Sequence, residues 1–269
     1  MLNSTAIRID KRLLLATIAL SAPLLAGSAM AADLPLKAAP TAPAYSWSGC
    51  YVGVNGGGAA SGSDTATSVD PGTHLVNPAD LATVGSAGTG SANGDNFIGG
   101  GQAGCNWQTG TMVLGLEGDW DYVPTTTLLS PIGGTLSTGD TFSLTNSVKT
   151  NWLATIRPRV GVAVDRNLAY VTGGAAFAEY SLTQTYADTI ASAVGTSSVS
   201  RTVIGWTAGA GLETAVTNNV TLKVEYLFAQ FPSIAATGAI LGTDGGTNVL
   251  HGSADLTVQT LRIGMNYKF

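Results

Sequence analysis

The chain has 269 residues, of which only 11% are charged, with a formal net charge of −5 and a positive mean hydropathy of +0.25. This acidic balance argues against nucleic acid as a partner, and no polybasic segment is present to bind anionic lipid. Few charges together with 35 glycines are unusual for a soluble globular domain, so the composition favours a protein that faces lipid.

Residues 1–31 are expected to be a secretory signal peptide. Three basic residues between positions 8 and 12 precede an uncharged run over 13–27, and the small residues Ala29 and Ala31 then fit a signal peptidase site. A retained helical anchor is the alternative, although the run is short for a membrane span. Cleavage would leave nine basic and sixteen acidic residues, a net charge of −7.

Residues 32–46 are predicted to be a periplasmic lead-in without regular structure. Pro35, Pro40 and Pro43 stand there among alanines, a composition typical of extended linkers. The remaining residues, 47–269, are expected to form a single domain.

Eight segments of this domain alternate between apolar and polar residues with a period of two. In one of them Leu116 and Trp120 fall on one face, and Glu117 and Asp119 on the other, which only a strand achieves. The predicted strands are 49–60, 96–107, 112–122, 151–164, 168–182, 206–213, 220–228 and 260–269. Pro158 lies inside the fourth strand and predicts a local bulge, because proline has no N–H to donate.

The connections between these strands alternate in length without exception. Short ones lie at 108–111, 165–167 and 217–219, and long ones rich in Ser, Thr, Gly and Ala at 61–95, 123–149, 183–201 and 232–253. Such alternation is typical of a membrane barrel with short periplasmic turns and long extracellular loops. Hydrocarbon offers no partner to backbone polar groups, so a sheet within it must close. We therefore predict an all-β fold: an eight-stranded antiparallel up-and-down transmembrane β-barrel with four long extracellular loops and three short periplasmic turns.

In such a barrel the apolar faces point outward and the charged faces line the lumen. Five basic and five acidic residues share the inward faces, and an eight-stranded barrel is just wide enough for side chains to fill it. We expect a hydrogen-bonded ion network rather than a pore, with a solvated charged face as the alternative. The network residues are Glu117, Asp119, Asp121, Arg157, Arg159, Glu213, Lys223, Glu225, Arg262 and Lys268.

Aromatic residues should form two girdles at the membrane interfaces. The extracellular girdle is predicted at Trp120, Tyr122, Trp152, Trp206, Phe228 and Phe231. The periplasmic girdle is predicted at Trp107, Tyr267 and Phe269.

Cys50 and Cys105 are the only cysteines. An even count in an exported chain suggests a disulfide, and both residues should point outward from adjacent strands near the periplasmic end. A cross-strand bridge there would contribute roughly 4 kcal/mol through loop closure. Two free lipid-facing thiols are the alternative.

Other motifs point to no catalytic, cofactor-binding or metal-binding residue. The glycines at 99–104 match a dinucleotide-binding spacing, but no helix follows them. His251 has Ser253 and Asp255 nearby, as in a hydrolase, yet no nucleophile motif frames the serine, and His74 lies alone in a loop. The loop aspartates lack the spacing of a calcium loop and are expected to be solvated.

Several segments together resemble the RopB-type outer-membrane proteins of alphaproteobacteria, small relatives of the OmpA transmembrane barrel often described as a porin family. They are "AADLP", "WSGCYVGVNGGG", "FIGGGQAGCNWQTGTMVLGLEGDWDY", "WLATIRPRVGVAVDRNLAYVTGGAAFAEY", "GWTAGAGLETAVTNNVTLKVEYLF" and "LRIGMNYKF". The resemblance implies a Gram-negative outer-membrane location, roles in envelope integrity, surface antigenicity and host contact, and no shared catalytic site. The cysteines and the long Ser/Thr/Gly loops depart from the family pattern.

The last strand ends in an aromatic residue, which resembles the signal that the barrel-assembly machinery recognises. Its outward residues are Leu261, Ile263, Met265, Tyr267 and Phe269. Expected partners are therefore this machinery during biogenesis, outer-membrane lipid and lipopolysaccharide, and a host surface contacted by the loops. We expect a non-enzymatic envelope barrel; a small diffusion channel is the first alternative, and a soluble secreted sandwich or adhesin the second.

Overall fold

The computed structural model describes residues 45–269, except for the side chains of residue 125 and residues 127–131. The predicted signal peptide and all but the last two residues of the lead-in lie outside the described residues. Residues 45–269 form one compact unit, with elements β1 (Gly49–Val69), α1 (Pro78–Ala87), β2 (Gly90–Thr109), β3 (Met112–Thr135), β4 (Thr141–Val164), β5 (Asn167–Asp188), a 3₁₀ turn (Ile190–Ser192), β6 (Val194–Ala215), β7 (Val220–Leu241) and β8 (Thr247–Lys268).

The eight strands form a closed antiparallel barrel in which each strand pairs with its neighbours in sequence. The ring closes between β1 and β8, where Val54 lies opposite Met265. The predicted eight-stranded up-and-down barrel is confirmed. No helix in the described part of the chain is long and apolar enough to cross a membrane.

The strands have 20 to 24 residues, about twice the length needed to cross hydrocarbon. Most of the sequence predicted as four long loops is therefore strand, and the connections shrink to residues 70–89, 136–140, 189–193 and 242–246. The reason is a reversal of polarity: above the membrane level Phe142, Leu144 and Val148 point inward while Ser and Thr point outward. The strand extensions thus bury apolar side chains inside and expose polar ones outside, as sheets in water do.

Short turns join the strands at the other end. They comprise residues 110–111, 165–166 and 216–219, close to the predicted positions. Gly110 and Asp165 adopt positive φ values of 60° and 51°, which tight two-residue hairpins require.

The prediction of a bulge at Pro158 is wrong. Pro158 lies opposite Leu116 of β3, and the register with β5 is the same on both sides of it. Proline therefore lacks an N–H for the ladder without inserting an extra residue, and its carbonyl accepts from the Thr172 hydroxyl at 2.9 Å. The register shift between β4 and β5 lies instead between Thr150 and Leu153.

The lower half of the barrel has an apolar outer wall. Ile156, Val162 and Met265 each expose about half of their surface, and Trp120 and Trp206 stand at the upper border of this band. Above it the outer wall carries Ser, Thr and Asp. Phe231 departs from the predicted girdle and is buried, because it shares the inward register of Lys223 and Glu225 in β7.

Candidate functional site: a filled barrel interior

The periplasmic mouth is plugged by aromatic side chains. Trp47 is buried in a cluster with the inward residues Val113, Leu168 and Tyr170, and its backbone N–H donates to the Gln108 side chain at 2.7 Å. Tyr45 packs edge-on against Trp47 with ring centroids 5.1 Å apart. The last two residues of the predicted lead-in thus contact the barrel rather than precede it as free chain.

Above this plug lies the network of charged side chains that the sequence predicts. Arg157 is its centre: the guanidinium contacts Glu117 at 2.8 Å, Asp119 at 2.6 Å and Glu225 at 3.3 Å. Glu117 and Asp119 lie on the adjacent strand β3, whereas Glu225 lies on β7, across the lumen from β4. Arg157 therefore ties non-adjacent walls of the barrel together.

Arg262 of β8 makes a second three-way contact. It binds Asp119 at 2.7 Å, Asp121 at 2.6 Å and Glu225 at 2.7 Å. Lys223 contacts Glu117 at 2.8 Å on the facing wall. Charges buried at this depth are costly unless they are paired, and each of these charged groups contacts at least one group of opposite charge.

The periplasmic side of the network is held by Arg159 and two phenols. Arg159 contacts Glu213 at 3.1 Å and lies about 5 Å from the ring centroids of Tyr51 and Tyr170. Tyr51 donates to Glu117 at 2.6 Å, and Tyr170 donates to Glu225 at 2.9 Å. Sequence reasoning missed the two tyrosines, although both share the inward register of their strands.

Lys268 does not join the network, so the prediction that it lines the lumen with the other charged residues is wrong. It lies at the periplasmic mouth, where its ammonium contacts the Ser46 carbonyl and stands 4.3 Å from the ring centroid of Tyr45. The reason is position: Lys268 is the last strand residue and lies below the closed interior. The described network therefore joins four basic residues to five acidic ones, not five to five.

An apolar layer fills the barrel above the charges. Its members come from all eight strands and include Ile98, Leu153, Tyr180, Phe231 and Leu256. Six of its seventeen described buried members are alanines, and the other eleven are Val, Ile, Leu, Phe and Tyr. The interior thus changes from paired charges to hydrocarbon along the barrel axis.

The extracellular end is closed by α1 and its flanking chain. Asn77 caps the helix by accepting from the Ala79 N–H at 3.0 Å, and Val84 is fully buried in the upper apolar cluster. Asp80 accepts hydrogen bonds from the backbone and hydroxyl of Ser137 at 2.7 and 2.6 Å. At the other end of the helix the Gly88 carbonyl accepts from Asn146 at 2.8 Å inside the barrel.

A buried histidine also fastens this cap. His74 Nε2 lies 2.7 Å from Asp188 Oδ2, and Tyr186 donates to the same oxygen at 2.7 Å. Burial, followed by the Asp188 carboxylate, raises the pKa of Tyr186, so the phenol stays protonated and donates. Sequence reasoning placed His74 in a loop and had no signal for these partners, which lie more than a hundred residues away.

Cys50 and Cys105 lie directly opposite each other on β1 and β2, with Cα atoms 4.0 Å apart, and are joined by a disulfide. Both are on the outward register near the periplasmic end, as the parity of their strands indicates. The outward residues of the last strand are also in the expected register: Ile263, Met265, Tyr267 and Phe269 are each more than half exposed, and Leu261 is half-buried.

The remaining candidates have structural partners. His251 contacts Asp70 at 2.9 Å and Thr237 at 3.2 Å, whereas Asp255 accepts from the Asp64 N–H. The glycines at 99–104 lie within β2, where a Cβ on Gly100 or Gly104 would collide with the backbone of β3. Among residues 45–269 no group of three or more His, Cys, Asp or Glu is arranged to hold a metal ion.

A closed ring of strands with an apolar outer wall, aromatic borders and paired charges inside defines an integral β-barrel of the bacterial outer membrane. The family model of the outer membrane protein beta-barrel domain matches residues 17–269, and the chain belongs to this family. The outer-membrane location in a Gram-negative bacterium is thereby confirmed.

Two known relatives, one from Brucella and one from Rhizobium, agree with this assignment. The chain is 35% identical over 267 residues to the 31 kDa outer-membrane immunogenic protein of Brucella melitensis, covering 96% of this chain and 100% of that protein. It is 31% identical over 195 residues to the 22 kDa outer membrane protein of Rhizobium leguminosarum, covering 72% and 69% of the two chains. The crystal structure of OprG from Pseudomonas aeruginosa aligns with 82% of this chain and 96% of its own, at 12% identity and a TM-score of 0.39. The alphaproteobacterial family resemblance is confirmed by the first two relatives.

Proposed function

We propose that this protein is a non-enzymatic, non-conducting barrel that stabilises the outer membrane and holds a rigid cap at the cell surface. The observation that carries the proposal is the filling of the interior, by the aromatic plug, the ion network, the apolar layer and the cap, in that order along the axis. An ion crossing the barrel would have to break the contacts of Arg157 and Arg262 and then enter a hydrocarbon layer. Both steps are costly.

Single-channel recording in planar bilayers tests the closed interior against the alternative of a small diffusion channel. We expect no steady, reproducible openings from the purified protein with its disulfide intact. An open eight-stranded barrel should conduct at all times, so the measurement needs only a conducting porin as its positive control. Reproducible openings of one amplitude would overturn the proposal in favour of the diffusion channel.

The envelope role has its own test in cells that lack the gene. We expect greater sensitivity to detergents and to large hydrophobic antibiotics, restored by the wild-type protein. Lipid and lipopolysaccharide are the proposed partners of the apolar wall and of the polar wall above it, and the barrel-assembly machinery is the proposed partner during biogenesis. Unchanged sensitivity in the deletion strain would contradict the envelope role without bearing on the closed interior.

The cap at the extracellular end supports a role in displaying a protein surface outside the cell rather than in catalysis. Several relatives, including the 31 kDa protein of Brucella melitensis, are named immunogenic, and a cap fastened by buried contacts would present a constant surface. We propose that contact with a host surface uses this cap and the outward polar faces of the strand extensions.

A further inference from the structure

The buried ion network contains one more negative than positive charge. It joins four basic residues to five acidic ones, and each of these nine side chains is at most 6% exposed. Tyr51 and Tyr170 add no charge, because they donate hydrogen bonds and are therefore protonated phenols. A net charge inside a protein is costly, and such groups are normally neutralised. The described interior thus lacks one positive charge.

Hydrogen bonds locate the place where this charge is missing. Of the ten carboxylate oxygens in the network, eight accept at least one hydrogen bond. The two that accept none within residues 45–269 are Oδ1 of Asp119 and Oδ1 of Asp121. These two aspartates point inward from β3 and bind the two ends of the Arg262 fork, so their carboxylates are neighbours. The excess negative charge and the unfilled acceptors therefore coincide.

Asp121 has fewer donors than any other carboxylate of the network. It accepts only from Arg262, whereas Asp119 accepts from both Arg157 and Arg262. The three glutamates each accept from three side chains. Asp121 is also completely buried, so bulk water does not replace the missing donors. Its ionised form is therefore the least stabilised by hydrogen bonds among the five.

Asn55 provides an acceptor beside Asp121 that also lacks a donor. Asn55 of β1, Gly100 of β2 and Asp121 of β3 lie in one row across the three strands. A Cβ on Gly100 would collide with Asp121 Oδ1, so this oxygen lies over the glycine, on the side of Asn55. Asn55 is 9% exposed, and its side-chain oxygen accepts no hydrogen bond from the described residues. A carboxylic acid at position 121 can supply that donor, whereas a carboxylate cannot.

The other charged groups around Asp121 do not remove the excess charge. Those that face it are Arg262 of β8, Arg157 of β4 and Asp119 of its own strand. Both arginines also bind Asp119 and Glu225, so each is shared among three carboxylates. In the row that contains Asp121, β1 and β2 contribute only uncharged residues.

We propose that the ion network binds one proton in mildly acidic medium, on the carboxyl group of Asp121, with the O–H donating to the side-chain oxygen of Asn55. The bound proton makes the interior neutral and gives a donor to an acceptor that lacks one. A proton needs no cavity, so the site is compatible with a filled barrel. The inference goes beyond the envelope role and does not depend on it.

Urea unfolding in lipid vesicles at several pH values tests the site. An aspartate of the unfolded chain is ionised above about pH 5, so unfolding releases the proton of Asp121 and a rise in pH favours unfolding. Divided by the unfolding constant of Asp121→Asn, that of the wild type should rise by roughly five- to tenfold between pH 5 and pH 6. Asparagine has nearly the same shape and no charge, so this variant keeps a neutral interior without a proton to lose.

Asp95→Asn is the matched control for the loss of one carboxylate. Asp95 is exposed on β2 and has no partner among residues 45–269, so this variant should keep the pH dependence of the wild type. Unheated electrophoretic mobility verifies that each variant is folded.

Infrared spectroscopy of the folded protein with ¹³C-carboxyl-labelled aspartate identifies the protonated group directly. At pH 5 we expect a carboxylic acid band in the wild type that is absent from Asp121→Asn. Asn55→Val should shift this band to higher frequency, because the O–H loses its acceptor. The band shift does not require Asp121→Asn to fold, so it tests the site independently.

Two results would overturn the proposal. One is a ratio of unfolding constants that does not change with pH, and the other is a carboxylic acid band that neither Asp121→Asn nor Asn55→Val alters. Loss of stability when sodium is replaced by choline, with no carboxylic acid band at pH 5, would instead assign the missing charge to a bound metal cation and equally reject the proton site.

Discussion

Arg157 is the residue on which the interior of the barrel depends most directly. It is completely buried, and its guanidinium serves carboxylates of two other strands. Its value lies less in the attraction of each pair than in the cost of leaving three buried carboxylates to share the remaining cations, chiefly Arg262 and Lys223.

Replacing Arg157 with Met should therefore lower the free energy of unfolding by roughly 3–5 kcal/mol, the usual cost of breaking a buried ion pair. Urea unfolding in lipid vesicles, followed by tryptophan fluorescence, measures the change. Lys149→Met is the control for losing one positive charge and should have almost no effect, since Lys149 is exposed. Equal midpoints for the two variants would show that the network does not stabilise the barrel.

The disulfide acts at the residue scale through the unfolded chain. It links positions 55 residues apart, and closure of a loop of this length restricts the unfolded ensemble. Cys50→Ser with Cys105→Ser should cost roughly 4 kcal/mol in the same urea experiment while the barrel still forms, because the ladder around both positions is continuous. Alkylation of the unreduced wild-type protein that labels both thiols would contradict the bridge.

At the scale of elements, α1 is a cap held by a few polar contacts rather than by its own stability. A helix of ten residues is marginal in isolation, so its order depends on the buried face around Val84 and on the bonds from Ser137 to Asp80. Gly88 is required where the helix ends, because a Cβ there would collide with Leu144 and Thr67.

Asp80→Ala should loosen the cap without unfolding the barrel. Losing two acceptors for Ser137 costs about 1–3 kcal/mol, which corresponds to amide exchange in residues 70–89 faster by roughly five- to a hundredfold. Hydrogen exchange with mass spectrometry measures this effect. Asp95→Ala, a change at an exposed aspartate of β2 that has no partner among residues 45–269, should leave exchange in the cap unchanged.

The last strand provides a second prediction at this scale. Phe269 is 71% exposed at the end of the outward row of β8, and packing within the barrel does not require its ring. Phe269→Ser should therefore lower the amount of assembled protein in cells severalfold, yet leave refolding into detergent intact. Phe97→Ser removes an equally exposed aromatic ring from the opposite border and should have little effect on assembly. Similar losses in both variants would argue for a general role of lipid-facing rings instead of a terminal signal.

At the scale of the whole molecule, the barrel places its connections on two sides of the membrane. The three short turns adjoin the apolar band, whereas the other four connections lie beyond long polar extensions of the strands. This asymmetry predicts that the capped end faces the outside of the cell.

Single cysteines introduced into the Cys50→Ser, Cys105→Ser background test this topology. Thr138→Cys and Thr243→Cys should react with a membrane-impermeant maleimide on intact cells. Asn218→Cys, in a periplasmic turn, should react only after the outer membrane is permeabilised. The reverse pattern of labelling would show that the barrel has the opposite orientation in the membrane.

The architecture of the barrel could be predicted from the sequence because every backbone group within hydrocarbon must be paired. Alternation with a period of two places Ile156 and Arg157 on opposite faces of a strand. Because hydrocarbon offers no partner to backbone groups, the sheet must close. The number of strands, the closure of the sheet and the face of each strand that points outward therefore followed from the sequence. Nine of the ten predicted network residues meet in the lumen for the same reason.

Contacts between distant segments were decided only by the tertiary structure. The stagger of the closed ring brings Arg157 to Glu225 across the lumen and leaves Lys268 below the network, and local patterns hold no information about that stagger. The strand extensions were missed because polarity reverses where lipid gives way to water. The cap of α1 and the interruption of the β6–β7 ladder between Gly195 and Trp206 depend on which strands pair and where pairing stops, and these features belong to the assembled barrel rather than to any single segment.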